Sequence, residues 1–146
     1  MKRTLLALLI PLALCSSALA SGYSYTGTVQ FKESLESGKP MVIVDIQIPA
    51  EFALHHFKGA LETDAFPAKS DAERARLDKV LPLIAANRDE VVIVCPRGGG
   101  GAKNTYDYLK AKGVDEKRLR ILEGGMQGWP YQALAQVSAP VAPPAH

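Results

Sequence analysis

Three apolar runs punctuate the chain: MVIVDI (41–46), VVIVC (91–95) and LRIL (119–122). They are continuous rather than alternating, the pattern of strands buried on both faces of a parallel sheet. Between them the apolar spacing is helical. Phe31 and Leu35 stand four apart ahead of a Gly38 stop. Leu77, Val80, Leu81 and Ile84 share a face after Asp71, a suitable N-cap. Pro82 is expected to end or kink that segment, leaving two short helices. Ala102, Tyr106 and Leu109 form a further stripe, with Lys110 and Lys112 in its last turn and Gly113 as its stop. TGTV (26–29) and GALETDAF (59–66) are expected as additional short strands. This alternation predicts a three-layer α/β domain with a central parallel sheet flanked by helices. In such folds ligands bind beyond the carboxyl ends of the strands.

The two ends of the chain depart from the pattern. Lys2 and Arg3 precede the apolar LLALLIPLALC, and Ala18-Leu19-Ala20 offers a cleavage site before Ser21. That is the layout of a secretory signal peptide, and its apolar stretch is too short to span a bilayer. Lipid attachment at Cys15 would want a small residue where Leu14 stands. SAPVAPPAH (138–146) is Ala/Pro-rich without periodicity and reads as a disordered tail. The expected organisation is a cleaved signal over 1–20, one domain over 21–135 and a tail over 136–146. The expected compartment is the periplasm, with no membrane attachment after cleavage.

Setting the leader aside changes the charge. The chain has 17 Lys+Arg and 15 Asp+Glu, and residues 1–20 hold two of the former and none of the latter. The remainder is 15 against 15, formally neutral, so no nucleic-acid partner is expected. Of two cysteines only Cys95 then remains. It has no internal disulfide partner, so it is either an inert buried thiol or a reactive one.

Its surroundings favour reactivity. CPRGGGGA (95–102) runs from the end of a strand to the start of a helix. Four glycines let backbone N–H groups turn inward around one anion, and the helix start adds free N–H groups and a positive dipole end. Such a setting favours the thiolate. A β-branched residue at Gly99 is expected to strain that loop. The plain alternative, a floppy linker beside an inert cysteine, fits poorly between a core strand and a core helix. No G-K-[ST] follows the glycines, which excludes a Walker A loop. The adjacent His55 and His56 are not expected to bind metal, since neighbouring side chains rarely face one pocket, and His56 is expected to be a packed, hydrogen-bonded histidine.

Three segments together carry a resemblance. VDIQIPAEFALHHFKGA (44–60), CPRGGGGA (95–102) and ILEGGMQGW (121–129) resemble, in order and spacing, the motifs of the rhodanese-like domain family. The resemblance spans about residues 29–133. It implies a three-layer rhodanese-like domain, a sulfurtransferase that takes sulfane sulfur from a small anionic donor such as thiosulfate onto Cys95 as a persulfide. Pro96, Arg97, Gly98, Gly99, Gly100 and Gly101 would hold the donor through the main chain. A thiol, a sulfur-acceptor protein or, in the test tube, cyanide would remove the sulfur, and the resemblance implies no metal or organic cofactor. The alternative is a persulfide carrier or docking module without fast turnover. A monomer is expected.

Departures from the family pattern lie at Gln47, where an arginine is usual, at Ile48 and His55, and at Gly100, where loops often carry arginine. Lys103 is placed near the loop mouth, with contact to an anionic donor the lesser of its two readings; Asp45 is expected as structural, and Trp129 as core or a closing lid. A cysteine phosphatase or arsenate reductase would need an arginine where Gly101 stands.

Overall fold

The computed structural model describes residues 22–136, so the expected signal peptide with Cys15 and the segment from 137 onward lie outside it. The three apolar runs form β2 (Met41–Asp45), β5 (Glu90–Val94) and β6 (Leu119–Leu122). With β1 (Tyr25–Thr26) and β4 (Leu61–Glu62) they make one parallel sheet of five strands in the order β1-β6-β5-β2-β4. In register, Val44 stands beside Ile93 and Ile93 beside Ile121. The edge strands are two residues each, so little unpaired backbone is left on either side.

Because side chains alternate across a strand, each apolar run feeds two cores. Val42, Val44, Val91, Ile93, Leu119 and Ile121 face one layer, packed on α4 (Leu81–Ala85) through Ile84 and on α5 (Gly100–Ala111) through Ala102, Tyr106 and Leu109. Ile43, Val92, Val94 and Leu122 face the other, where Phe31 of α1 (Thr28–Glu36) meets Phe57 and Trp129. That double use explains why the runs do not alternate with polar residues.

Other elements depart from expectation. Only Thr26 of TGTV is in a strand; Gly27 is the N-cap of α1, whose first turn holds Thr28 and Val29. Burying Phe31 against the sheet outweighs the β preference of two residues. Of GALETDAF only Leu61–Glu62 pairs with β2, because both the N–H and the hydroxyl of Thr63 go to the Asp45 carbonyl and Asp64 turns left-handed at φ +54. The helix α3 (Asp71–Ala75) is capped by Ser70 rather than Asp71. Ser70 Oγ accepts from Glu73 N–H at 3.2 Å while Glu73 accepts from Ser70 N–H at 3.0 Å, a capping box. Two short helices do form, but Pro82 opens α4 rather than ending its predecessor, a place where its missing N–H costs nothing.

Two elements have no pattern long enough to see in the sequence. After α2 (Pro49–Leu54), β3 (His56–Phe57) pairs antiparallel with β7 (Ala135–Gln136), so the segment after Trp129 returns to close the second core. β7 includes Gln136, the first residue of the expected tail.

Candidate active site

β5 delivers Cys95 to the carboxyl end of the sheet, at its centre. Hydrogen bonds continue past the strands there: Ile46 N–H donates to the Val94 carbonyl and Phe66 N–H to the Ile46 carbonyl, both at 2.9 Å. These bring the segment around Phe66 beside the cysteine although it lies some thirty residues away in sequence. A cavity of about 220 Å³ opens there, lined by Phe66, Pro67, Lys69, Cys95, Arg97, Gly99–Gly101 and Asn104.

The cysteine is 2% exposed and is the free thiol of the described residues. Gly98 N–H donates to Cys95 Sγ at 2.9 Å. Immediately beyond, α5 begins at Gly100 with Gly99 as its N-cap, and no acidic residue stands in its first turn. Its free N–H groups and dipole therefore face the cavity uncompensated.

The glycines have separate tasks. Gly98 has φ +68, and a Cβ there would lie 2.8 Å from the Leu122 carbonyl oxygen and 2.9 Å from Gly124 N. Gly101 has no room either, since a Cβ would stand 2.7 Å from the Phe66 ring. Gly99 and Gly100 border open space, and Gly99 has φ −100, so the strain expected at Gly99 belongs to Gly98 instead.

A second turn lies under the loop. Met126 N–H donates to the Cys95 carbonyl at 2.8 Å and Gln127 N–H to the Pro96 carbonyl at 2.9 Å. Gly124 and Gly125 are left-handed at φ +73 and +60. A Cβ on Gly125 would strike the Cys95 carbonyl and come within 2.6 Å of the amide nitrogens of Arg97 and Gly98. The glycines of ILEGGMQGW thus let two backbones touch, and the turn fixes where the Gly98 N–H points.

Of the residues expected to hold a donor, Arg97 and Gly99–Gly101 line the cavity and Gly98 reaches the sulfur. Pro96 does neither: it has no N–H, it is buried, and its carbonyl is tied to Gln127. Lys103 is also displaced, its ammonium lying 5.4 Å from the centroid of the Tyr23 ring rather than in the cavity lining. Phe66, Pro67, Lys69 and Asn104 were not legible as site residues: the sheet order brings the first three to Cys95, and Asn104 lies one turn into α5, where the sequence does not show which helix face meets the cavity.

The remaining candidates are structural. Asp45 is fully buried, and accepts from Gln47 N–H at 2.9 Å and from Gln47 Nε2 at 3.1 Å. Burial pushes its carboxyl up to about 6, while the Gln47 donors and His56 pull the other way. His56 stacks on Phe52 at 4.2 Å and its Nδ1 lies 2.9 Å from the Phe52 carbonyl oxygen, a packed histidine. Trp129 is 3% exposed among Phe31, Phe57 and Tyr131, a core residue and not a lid.

Residues 28–131 match the rhodanese-like domain family. A rhodanese-like domain protein of Staphylococcus aureus superposes with a TM-score of 0.60 at 26% identity, covering 80% of this chain and 99% of that one. Thiosulfate sulfurtransferase of Pseudomonas aeruginosa superposes with a TM-score of 0.60 at 18% identity, covering 80% of this chain and 20% of that one. Among curated relatives, the tRNA uridine(34) hydroxylase of Buchnera aphidicola is 27% identical over 100 residues, 68% of this chain. The chain spans only 29% of that protein's length.

Proposed function

The chain belongs to the rhodanese-like domain family, and from that premise we propose that it is a sulfurtransferase working through a persulfide on Cys95. The observation that carries this reading is the Gly98 N–H aimed at Cys95 Sγ on a cavity whose lining contains two basic residues and no acid. A preorganised N–H on the sulfur supports negative charge there, as an oxyanion hole does on oxygen.

In the first half-reaction the Cys95 thiolate attacks the outer sulfur of thiosulfate. An S–S bond forms to Cys95, the bond between the two donor sulfurs breaks, and its electron pair leaves with sulfite. One negative charge stays on the terminal persulfide sulfur. In the second half-reaction an acceptor thiolate, or cyanide, takes that sulfur and the Cys95 thiolate returns. The acceptor is a small thiol or a sulfur-acceptor protein.

Thiosulfate:cyanide turnover by purified mature protein tests the reading. Sulfur transfer predicts many thiocyanates released per protein, whereas the carrier alternative predicts about one. No thiocyanate and no persulfide would rule out both. The signal-like N-terminus further supports export to the periplasm, and N-terminal sequencing of the native protein should then begin at Ser21.

A further inference from the structure

Two segments distant in sequence meet at the Cys95 cavity. One is the cysteine loop, bearing Arg97; the other is 66–69, contributing Phe66, Pro67 and Lys69. The second is tied down along its length. Asn104 Nδ2 of α5 donates to the Pro67 carbonyl at 3.0 Å, and Arg74 Nε to the Ala68 carbonyl at 3.2 Å. The N–H groups of Lys69 and Ser70 donate to Glu73 Oε2 at 2.8 and 3.0 Å. The backbone that carries Lys69 is therefore fixed against two helices while its side chain is exposed.

The charged residues that line the cavity are of one sign. Neither Lys69 nor Arg97 takes part in the ion pairs found among the described residues. No residue lining the cavity is acidic. Glu73, close in sequence, already accepts from two backbone N–H groups. Lys103, the other basic residue near the start of α5, sits over Tyr23.

We propose that Lys69 selects anions at the Cys95 site, holding the charged end of an anionic sulfur donor at the mouth while the transferable sulfur reaches Sγ. This rests on the sulfur-transfer reading for its donor, but the charge effect on Cys95 is separable from that chemistry. One cation at the mouth changes the local concentration of a monoanion by roughly threefold to fivefold in a largely aqueous setting. Added salt reduces that change.

The test alkylates Cys95 of the full protein with iodoacetate, an anion, and with neutral iodoacetamide, and compares the two rates. The iodoacetate-to-iodoacetamide ratio should fall roughly threefold to fivefold in Lys69→Ala, fall further in Lys69→Glu and return in Lys69→Arg. The difference between wild type and Lys69→Ala should shrink in about 0.5 M salt. In parallel, Lys69→Ala should raise the KM for thiosulfate more than it lowers kcat. An unchanged ratio, or equal slowing with both reagents, overturns the role of Lys69. A ratio that falls as stated in a protein that never turns over thiosulfate upholds anion selection and removes the sulfur-transfer reading instead.

Discussion

At Gly98 the backbone stands at φ +68 against the Leu122 carbonyl, whereas at Gly99 a Cβ would meet nothing within 4 Å. Adjacent glycines with such different surroundings separate two explanations of the glycine run. Gly98→Ala should misaim the N–H on Cys95 Sγ, slow thiosulfate turnover at least tenfold and cost roughly 1–3 kcal/mol of stability. Gly99→Ala should stay within about 1 kcal/mol of wild type. Denaturant midpoints and turnover measured on both variants check this; equal damage at the two positions would make the loop a uniform flexible turn. Asp45 offers a second test at this scale. Its folded-state carboxyl lies at about 6 against an ordinary 3.8, so the folded protein binds that proton more tightly than the unfolded chain does. Its contribution to stability is therefore present at low pH and is lost as pH rises through about 4 to 6. The loss is on the order of 2–3 kcal/mol. Unfolding free energies of wild type minus Asp45→Asn should fall by that amount between these limits, and a flat difference would mean that Asp45 carries no such penalty.

Among the elements, those with long apolar runs or a full helical stripe were readable, and those set by a single contact were not. β2, β5, β6 and α5 lie within a residue or two of expectation because burial on two faces, or on one stripe, dictates their sequence. β3 and β7 are two residues each, and their pairing is decided by where the chain returns. The Gly124–Gly128 turn was visible as a motif, but not its task, since the clash that excludes a Cβ at Gly125 comes from Cys95, Arg97 and Gly98. Trp129 closes that turn against Phe31 and Phe57 at ring distances of 5.7 and 5.0 Å, and its Nε1–H donates to the Tyr131 carbonyl at 2.8 Å. Trp129→Ala should cost about 3–5 kcal/mol, read as a drop in the denaturant midpoint. A loss below 1 kcal/mol would show that the second core does not depend on it.

For the whole molecule, the parallel sheet decides what meets at its carboxyl end. Cys95 and its glycines were legible because strand, nucleophile and loop are contiguous in sequence. Phe66, Pro67 and Lys69 were not, because their proximity follows from β2 lying between β5 and β4. The measurement that bears most directly on the account is mass spectrometry of the protein after thiosulfate, with the Cys95 peptide read for added sulfur. Wild type should gain about 32 Da on that peptide and lose it on adding cyanide, while Cys95→Ser should gain nothing and show no turnover. A folded wild-type protein that never carries the extra sulfur, or a Cys95→Ser variant that still releases thiocyanate, would contradict it.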